Sequence, residues 1–168
     1  MKKNIILIGM PAVGKSTVGI LLAKEIGFGF MDTDILIQTS EGKTLPEIIA
    51  GSGVKQFLAL EEKYLTDLDL EGHVIATGGS AIYSRKSMET LALNGIIIYL
   101  EISLDFLNDR LSSLDSRGVI RAPGQSVESL YFERTPLYNT YADLKIPCGS
   151  MPPDQVMSRI LEKLNWKS

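Results

Sequence analysis

A glycine-framed segment near the start of the chain carries residues suited to phosphate binding. Residues 9–17 read GMPAVGKST, which matches the pattern G-x-x-x-x-G-K-[ST]. Glycines let the backbone curl closely around an anion, and the amino end of a following helix presents unpaired N–H groups to it. Lys15 can reach the β- and γ-phosphates of a nucleotide, and the Ser16 hydroxyl can hold Mg2+. A plain glycine turn before a helix is the alternative, but we predict nucleotide contacts by Gly9, Ala12, Val13, Gly14, Lys15, Ser16 and Thr17.

Two aspartates, Asp32 and Asp34, follow the next apolar segment. Alternate residues of an extended segment point to the same side, so both carboxylates can face one site. The third apolar segment is not closed by an acidic residue of the Walker B kind, so Asp32 is the expected metal carboxylate, acting through water. Asp34 is then placed to accept a proton from a substrate hydroxyl. The alternative is that Asp34 caps the following helix and Asp32 is merely exposed.

A second polar turn, Gly78-Gly79-Ser80, follows the third apolar segment. Consecutive glycines at the end of a strand suit a turn whose backbone N–H groups approach a ligand closely. An ordinary turn without a ligand is the alternative. Under the first interpretation, this turn contributes to binding of the acceptor substrate.

Four arginines, Arg110, Arg117, Arg121 and Arg134, could bind anionic groups. Guanidinium groups recognise phosphate or carboxylate at two points, whereas each arginine taken singly could equally be a solvated surface residue. Arg117 lies in the irregular stretch 112–125, which is long for a connection in a compact domain. Such a loop could be a lid that closes Arg117 over a γ-phosphate, or it could be a solvated connector.

Apolar strand patterns alternate with helical patterns along the chain and must position these residues. The predicted strands are 5–8, 28–31, 74–77, 96–100 and 143–146. The predicted helices are 17–26, 34–39, 45–49, 54–68, 86–93, 104–111, 127–138 and 154–164. This alternation is typical of an α/β fold with a parallel sheet covered on both faces. Ligands of such sheets bind at the carboxyl ends of the strands, where the candidate residues lie.

Length and composition bound the class of protein. The 168 residues suit a single domain, and the net charge of -3 argues against nucleic acid as a main partner. Cys148 is the single cysteine and cannot form an internal disulfide. No apolar run approaches the ~20 residues needed to cross a bilayer, and the start of the chain lacks the features of a signal peptide. We therefore expect a cytoplasmic protein with a small-molecule substrate and no membrane partner.

Together these features resemble the shikimate kinase family, small phosphate-loop kinases close in architecture to nucleoside monophosphate kinases. The resemblance runs over nearly the whole chain through the phosphate loop, Asp32-Thr33-Asp34, Phe57, Gly78, Gly79, Arg117 and Arg134-Thr135-Pro136-Leu137-Tyr138. It implies a three-layer P-loop kinase fold in one domain, 1–168, with a five-stranded parallel sheet in the order 2-3-1-4-5. It also implies a substrate-binding segment at about 33–60 and a lid at about 112–125. Separately, we expect a monomer.

The same resemblance implies transfer of the ATP γ-phosphate to a ring hydroxyl of shikimate, assisted by Mg2+. Asp34 would act as base or orienter, while Lys15 and Arg117 would neutralise the transferring group. Arg134 would bind the substrate carboxylate, and Arg110 would lie against the adenine. The remaining acceptor contacts would be Phe57, Gly78, Gly79 and Ser80, with N–H groups of the two glycines presented to the substrate.

Two departures from the family pattern concern the acceptor. Leu58 stands where the family usually has an arginine that clamps the shikimate carboxylate, and losing such a contact costs about 1.5–3 kcal/mol. Ser80 stands in place of a third glycine, and Arg121 is a candidate replacement for the missing clamp. Two alternatives therefore stay open: a kinase for another polyol acid or a nucleotide, and a non-catalytic nucleotide-binding module.

Two glutamates, Glu61 and Glu62, share the predicted helix that carries Leu58. We expect both side chains to be solvated, because charged residues are rarely buried. The alternative is that Glu61 lines the acceptor pocket.

Overall fold

A five-stranded parallel sheet organises the computed structural model, which describes residues 4–112 and 124–166. The strands are β1 (Asn4–Ile8), β2 (Gly29–Asp32), β3 (His73–Ala76), β4 (Gly95–Glu101) and β5 (Leu144–Pro147). They lie in the order β2-β3-β1-β4-β5, and every neighbouring pair is parallel. The predicted α/β class and strand order are confirmed.

Helices connect the strands and cover both faces of the sheet. Within the described residues they are α1 (Lys15–Ile26), α2 (Thr33–Glu41), α3 (Leu45–Ser52), α4 (Val54–Thr66), α5 (Arg85–Asn94), α6 (Leu104–Ser112), α7 (Val127–Tyr141) and α8 (Pro153–Lys163). A short 3-10 helix (Ala81–Tyr83) follows β3. None of the helices in 4–112 and 124–166 combines the length and apolar character needed to span a bilayer.

The apolar residues form two separate clusters. The larger one surrounds the sheet and includes Ile5, Ile6, Leu7 and Ile8 of β1, and all five residues of this strand are buried, as expected for a central parallel strand. The smaller one consists of Ile37, Leu45, Ile48 and Phe57, contributed by α2, α3 and α4. The three helices that follow β2 thus pack around a core of their own.

The predicted elements are present, and their ends differ by a few residues. The longest extensions at a single end are three residues: α3 continues to Ser52 although the sequence pattern ends it at 49, and α7 continues through Pro136 to Tyr141 although the pattern ends it at 138. Leu130, Arg134 and Tyr138 are buried on one side of this helix at a spacing of four residues. This burial supports the helix across the proline, since tertiary packing outweighs local propensity.

Candidate active site

The candidate residues meet in one cleft of about 770 Å³. Its walls come from the glycine loop after β1, α2, the start of α3, the turn after β3 and the middle of α7. These segments lie at the carboxyl ends of the parallel strands, where the fold class predicts a ligand site. The cleft brings Lys15, Asp34 and Arg134 to one place although they are far apart in the sequence.

The glycine loop has a backbone conformation that most residues avoid. Gly9 has a φ of 146°, Ala12 one of 65° and Gly14 one of 103°. A Cβ atom at Gly9 would lie 2.7 Å from the Leu100 carbonyl oxygen, so the close approach of the loop to β4 requires glycine. Gly14 is the N-cap of α1 and provides no side-chain cap, so the first N–H groups of the helix face the cleft as an anion site would require.

Lys15 is buried beneath this loop. Its ammonium donates to the carbonyl oxygens of Gly9 and Met10 at 2.8 and 2.9 Å. Burial lowers the pKa of Lys15 to about 8, and the carboxylate of Asp34 opposes that shift. The side chain is therefore a cation at neutral pH, and it lies at the floor of the cleft.

Ser16 and Asp32 form the candidate magnesium site. The Ser16 hydroxyl donates to Asp32 Oδ2 at 2.5 Å, while Asp32 Oδ1 accepts from the backbone N–H groups of Asp34 and Ile35. Asp32 is thus the N-cap of α2, and the alternative in which Asp34 caps the helix is wrong. Over the described residues, no group of three or more His, Cys, Asp or Glu side chains is suited to a protein-only metal centre. The hydroxyl and carboxylate nevertheless fit Mg2+, which usually takes its other ligands from phosphates and water.

Asp34 is half-buried and lines the cleft next to Lys15. Burial raises the pKa of Asp34 to about 6, with the Asp32 carboxylate adding to the shift and Lys15 opposing it. Its Oδ1 atom is buried and has no hydrogen-bond partner among the described residues. At neutral pH this carboxylate is ionised, it is more basic than an ordinary aspartate, and its Oδ1 atom is not engaged by another described residue. Such a group can accept a proton.

The turn after β3 is held by hydrogen bonds from three helices. The Gly78 N–H donates to the Thr33 hydroxyl at 3.1 Å, so this N–H group is already engaged within the protein. The Tyr138 hydroxyl donates to the Gly79 carbonyl at 2.7 Å. The Ser80 hydroxyl donates to Glu61 Oε2 at 2.7 Å. The expected presentation of both glycine N–H groups to a substrate therefore does not apply to Gly78 in this structure.

Glu61 is buried on α4, where the residue is 2% exposed, and the expectation that it is solvated is wrong. Burial raises the pKa of Glu61 to about 7, although the hydrogen bond from Ser80 lowers it. Its Oε1 atom has no hydrogen-bond partner in the described part of the chain. A Cβ atom on Gly78 would lie 2.5 Å from this oxygen and 2.7 Å from Asp34 Oδ1. Two buried carboxyl oxygens thus converge on the place that Gly78 leaves open.

Arg134 is also buried, with an exposure of 1%, and lines the cleft from α7. A Cβ atom on Gly79 would lie 2.9 Å from one of its terminal nitrogens, so the guanidinium packs directly against this turn. The alternative of a solvated surface arginine is wrong for this residue. A buried guanidinium at the wall of a cleft is suited to binding an anionic ligand group.

Other predicted residues lie beside the cleft. Arg110 donates to the Val13 carbonyl at 2.7 Å and to the Gly149 carbonyl at 3.3 Å, and so joins the glycine loop to the segment after β5. Phe57 is fully buried in the smaller apolar cluster. Leu58 borders a second cavity of about 190 Å³. The acceptor contact of Phe57 and the adenine contact of Arg110 stay predictions.

Part of the predicted lid lies outside the described residues. Arg117 and Arg121 both fall in the stretch 113–123, to which the structural description does not extend. Their expected roles over the γ-phosphate and as a replacement clamp therefore stay predictions.

Sequence reasoning gave Tyr138 and Tyr83 no role on the acceptor side, and it expected Glu61 to be solvated, with the acceptor pocket only as the alternative. Glu61 falls four residues after Phe57 and four before Leu65, and all three are buried on α4, so helical spacing could have placed it inside. The same spacing relates Tyr138 to Arg134 on α7. Tyr83 ends the 3-10 helix, and no local pattern marks it as part of the site.

Comparisons with known proteins relate nearly the whole chain to one family. A family model described as shikimate kinase matches residues 11–165. A shikimate kinase from Sulfurihydrogenibium sp. is 33% identical over 163 residues, which is 96% of this chain and 98% of that protein. The crystal structure of shikimate kinase from Aquifex aeolicus has a TM-score of 0.84 and 31% identity over 96% of both chains. Shikimate kinase from Acinetobacter baumannii in complex with shikimate has a TM-score of 0.87 and 31% identity, over 98% of this chain and 94% of that one.

Proposed function

Because the chain belongs to the shikimate kinase family, we propose that its cleft transfers the γ-phosphoryl group of ATP to a hydroxyl of shikimate. The products are shikimate 3-phosphate and ADP. One observation carries the proposal: a single cleft joins Lys15 of the phosphate loop to a half-buried carboxyl, Asp34, and a buried guanidinium, Arg134. Phosphoryl transfer needs a cation at the donor phosphates and a proton acceptor at the attacking hydroxyl. An acceptor with a carboxylate also needs a fixed cation, which Arg134 supplies.

The donor phosphates bind at the amino end of α1 in this proposal. The uncapped N–H groups after Gly14 and the positive end of the helix dipole favour the anion. Lys15 exchanges its bonds to the Gly9 and Met10 carbonyls for phosphate oxygens, so that its charge remains paired when ATP binds. Arg110 steadies the loop by holding the Val13 carbonyl. The contact of Arg110 with adenine is part of the same proposal.

Ser16 and Asp32 would hold Mg2+, the former directly and the latter through water. Their hydroxyl and carboxylate already lie within hydrogen-bond distance of each other beside the glycine loop. When bound, the ion neutralises charge on the phosphate oxygens of ATP. Asp32 is fixed for this role because its other oxygen caps α2.

Asp34 accepts the proton of the attacking hydroxyl. The hydroxyl oxygen forms a bond to the γ-phosphorus, the bond from phosphorus to the leaving oxygen of ADP breaks, and the proton moves to the Asp34 carboxylate. Burial raises the pKa of Asp34 to about 6, which makes the carboxylate a better base than an exposed aspartate. Because this value is still below 7, most of the group is ionised at pH 7. Lys15 and, from the predicted lid, Arg117 offset the negative charge of the transferring group.

The carboxylate of shikimate binds to Arg134, whose burial strengthens a charge-assisted contact. Gly79 and Ser80 line the same wall and give the ring of the acceptor its closest backbone approach. Because the reaction consumes ATP, we assign the enzyme to the cytoplasm, and we propose that the monomer contains a complete site.

A coupled assay of ADP release tests the function. Purified protein with ATP, Mg2+ and shikimate should turn over well above its rate without shikimate, and omission of Mg2+ should abolish that rate. Turnover at the background level with shikimate would refute the assignment. A mass increase of one phosphoryl group on shikimate identifies the product.

A second acceptor deserves inclusion in the same assay, since Leu58 supplies no hydrogen bond where the family usually has a clamp. Another polyol acid with a carboxylate would still meet Arg134. If such an acid gave a higher kcat/KM than shikimate, the reaction class would stand and the preferred acceptor would change.

A further inference from the structure

We propose that Tyr83 is a positioning residue for Arg134, holding the guanidinium so that its two terminal nitrogens, not Nε, meet the acceptor carboxylate. This inference rests on the proposed function, because it specifies how the acceptor side recognises an anionic group. Tyr83 ends the 3-10 helix after β3 and reaches across to α7. It acts through Arg134 and makes no contact with the reacting atoms in this assignment.

The contacts of Arg134 define its orientation. Its Nε donates to the Tyr83 hydroxyl oxygen at 3.1 Å, and its guanidinium carbon lies 5.2 Å from the centroid of the Tyr83 ring. On the other side, one terminal nitrogen lies so close to Gly79 that an added Cβ would be only 2.9 Å from it. The guanidinium is therefore fixed between a phenol and the turn that borders the cleft.

A guanidinium can bind a carboxylate at two points through either of two edges. One edge uses Nε and a terminal nitrogen, and the other uses both terminal nitrogens. Because the Nε–H of Arg134 points to Tyr83, the first edge is occupied. Two-point recognition then falls to the terminal nitrogens, which are on the side of Gly79 and the cleft.

A carboxylate at the surface sets the direction of the phenol. The Tyr83 hydroxyl donates to Glu133 Oε1, and Gln125 donates to Glu133 Oε2 at 2.8 Å. Burial and the hydrogen bond to Glu133 both raise the pKa of Tyr83, so the phenol keeps its proton at neutral pH. With its proton directed to Glu133, the phenol oxygen is left to accept from Arg134. The order Arg134, Tyr83, Glu133 is thus a directed chain of hydrogen bonds.

The surroundings of Tyr83 explain why this support matters here. Tyr83 and Leu58 border the same cavity of about 190 Å³, and the leucine side chain cannot donate a hydrogen bond or pair with a carboxylate. The hydrogen bond to Tyr83 therefore orients Arg134 on the side of the site where Leu58 offers no polar group.

The variant Tyr83→Phe tests the inference, since it removes the hydroxyl and keeps the ring over Arg134. We expect the KM for shikimate to rise about five- to thirtyfold, with kcat and the KM for ATP within about twofold of the wild type. Tyr64→Phe is the matched control, because the Tyr64 hydroxyl also donates to a glutamate, Glu41 at 2.7 Å, without lining the cleft. An unchanged KM for shikimate in a folded Tyr83→Phe protein would overturn the inference.

A neutral acceptor separates positioning from general structural support. With the carboxamide analogue of shikimate, Tyr83→Phe and wild type should differ by less than about twofold, because no carboxylate needs alignment. An equal loss with both acceptors would show that the hydroxyl merely supports the fold. If Tyr83→Phe is unstable, Glu133→Gln takes its place, since Glu133 is exposed and its exchange should raise the KM for shikimate about threefold. An unchanged KM for shikimate in Glu133→Gln would contradict the directed chain of hydrogen bonds from Arg134 through Tyr83 to Glu133.

A readout that needs no substrate keeps this inference separate from the proposed function. The 15N NMR signal of Arg134 Nε–H should be slow to exchange in wild type and fast in Tyr83→Phe. If wild type does not phosphorylate shikimate, the proposed function fails while the NMR result still decides the contact. Equal exchange in both proteins would overturn the positioning role even if shikimate is the acceptor.

Discussion

The two halves of the cleft are built in different ways. The donor half is one continuous segment, the glycine loop and the start of α1, and it presents backbone N–H groups and Lys15. The acceptor half is assembled from side chains of α2, α4, the turn after β3 and α7. Donor binding thus depends on the path of the backbone, whereas acceptor binding depends on buried side chains that meet only after folding. A single side-chain substitution should therefore impair either the donor half or the acceptor half of the cleft and leave the other half intact.

We expect the largest difference between the two halves in the variant Asp34→Asn, which should lose catalysis and still bind ATP. The amide cannot take up the hydroxyl proton, so kcat should fall about 10²–10⁴-fold. ATP affinity, measured by calorimetry without acceptor, should stay within about twofold, because the phosphate loop is untouched. Asp69→Asn, at an exposed position between α4 and β3, is the control and should be fully active. Retained activity in Asp34→Asn would remove this residue from the chemical step.

A second test concerns the cost of burying Glu61. Burial raises the pKa of Glu61 from 4.5 to about 7, so the folded state binds the proton more tightly than the unfolded state does. The resulting stability is fully present below pH 4.5 and is lost as the pH rises through about 7. Its full size is about 3 kcal/mol in the free energy of unfolding.

The variant Glu61→Gln should remove this pH dependence, since a neutral amide does not titrate. Urea unfolding of wild type and variant at several pH values between 4 and 8 measures the difference. Glu62→Gln is the matched control, because Glu62 is half-exposed and likewise accepts from a serine hydroxyl, that of Ser84 at 2.6 Å. Parallel stability curves for wild type and Glu61→Gln would contradict the prediction.

The smallest effects should come from a matched pair of glycine substitutions, one in each half. In Gly9→Ala the new Cβ meets a backbone oxygen at a φ of 146°, so we expect a KM for ATP about tenfold higher and a thermal midpoint about 3 °C lower. In Gly78→Ala it meets the ends of two side chains, which can move. We therefore expect a KM for shikimate about tenfold higher, with the KM for ATP and the thermal midpoint unchanged.

Gly51→Ala is the control for both substitutions, because nothing lies within 4 Å of the added Cβ. Steady-state kinetics with each substrate varied in turn, together with thermal unfolding, measures all three variants. If Gly9→Ala and Gly78→Ala raised both KM values equally, the two halves would not be independent.

The fold could be predicted from the sequence because its signals are local. Continuous apolar runs such as 5–8 mark buried parallel strands, and helical spacing between them marks the connections. The sequence pattern ended α7 at 138, three residues short of Tyr141, because the support for its last turn comes from tertiary burial of Arg134 and Tyr138. Local propensity contains no information about that packing.

The candidate site likewise contains residues that local sequence signals identify and residues that depend on tertiary contacts. The phosphate loop, Asp32 and Asp34 could be identified because they are close in the sequence and follow strand ends. Glu61 was misjudged because a charged residue is usually solvated, and the hydroxyl that hydrogen-bonds its buried carboxyl comes from Ser80, a residue of another segment. Tyr83 had no sequence signal at all, since its role depends on the distance between the 3-10 helix and α7.

The small apolar cluster of Ile37, Leu45, Ile48 and Phe57 has a consequence for how the protein comes apart. Four residues stabilise far less than the cluster around the sheet, so α2 and α3 can open in a partial unfolding event while the strands stay paired. Their amide hydrogens should then exchange with solvent faster than those of β1 and β4. In mild denaturant the enzyme would lose its affinity for the acceptor first and still retain the loop that holds the nucleotide.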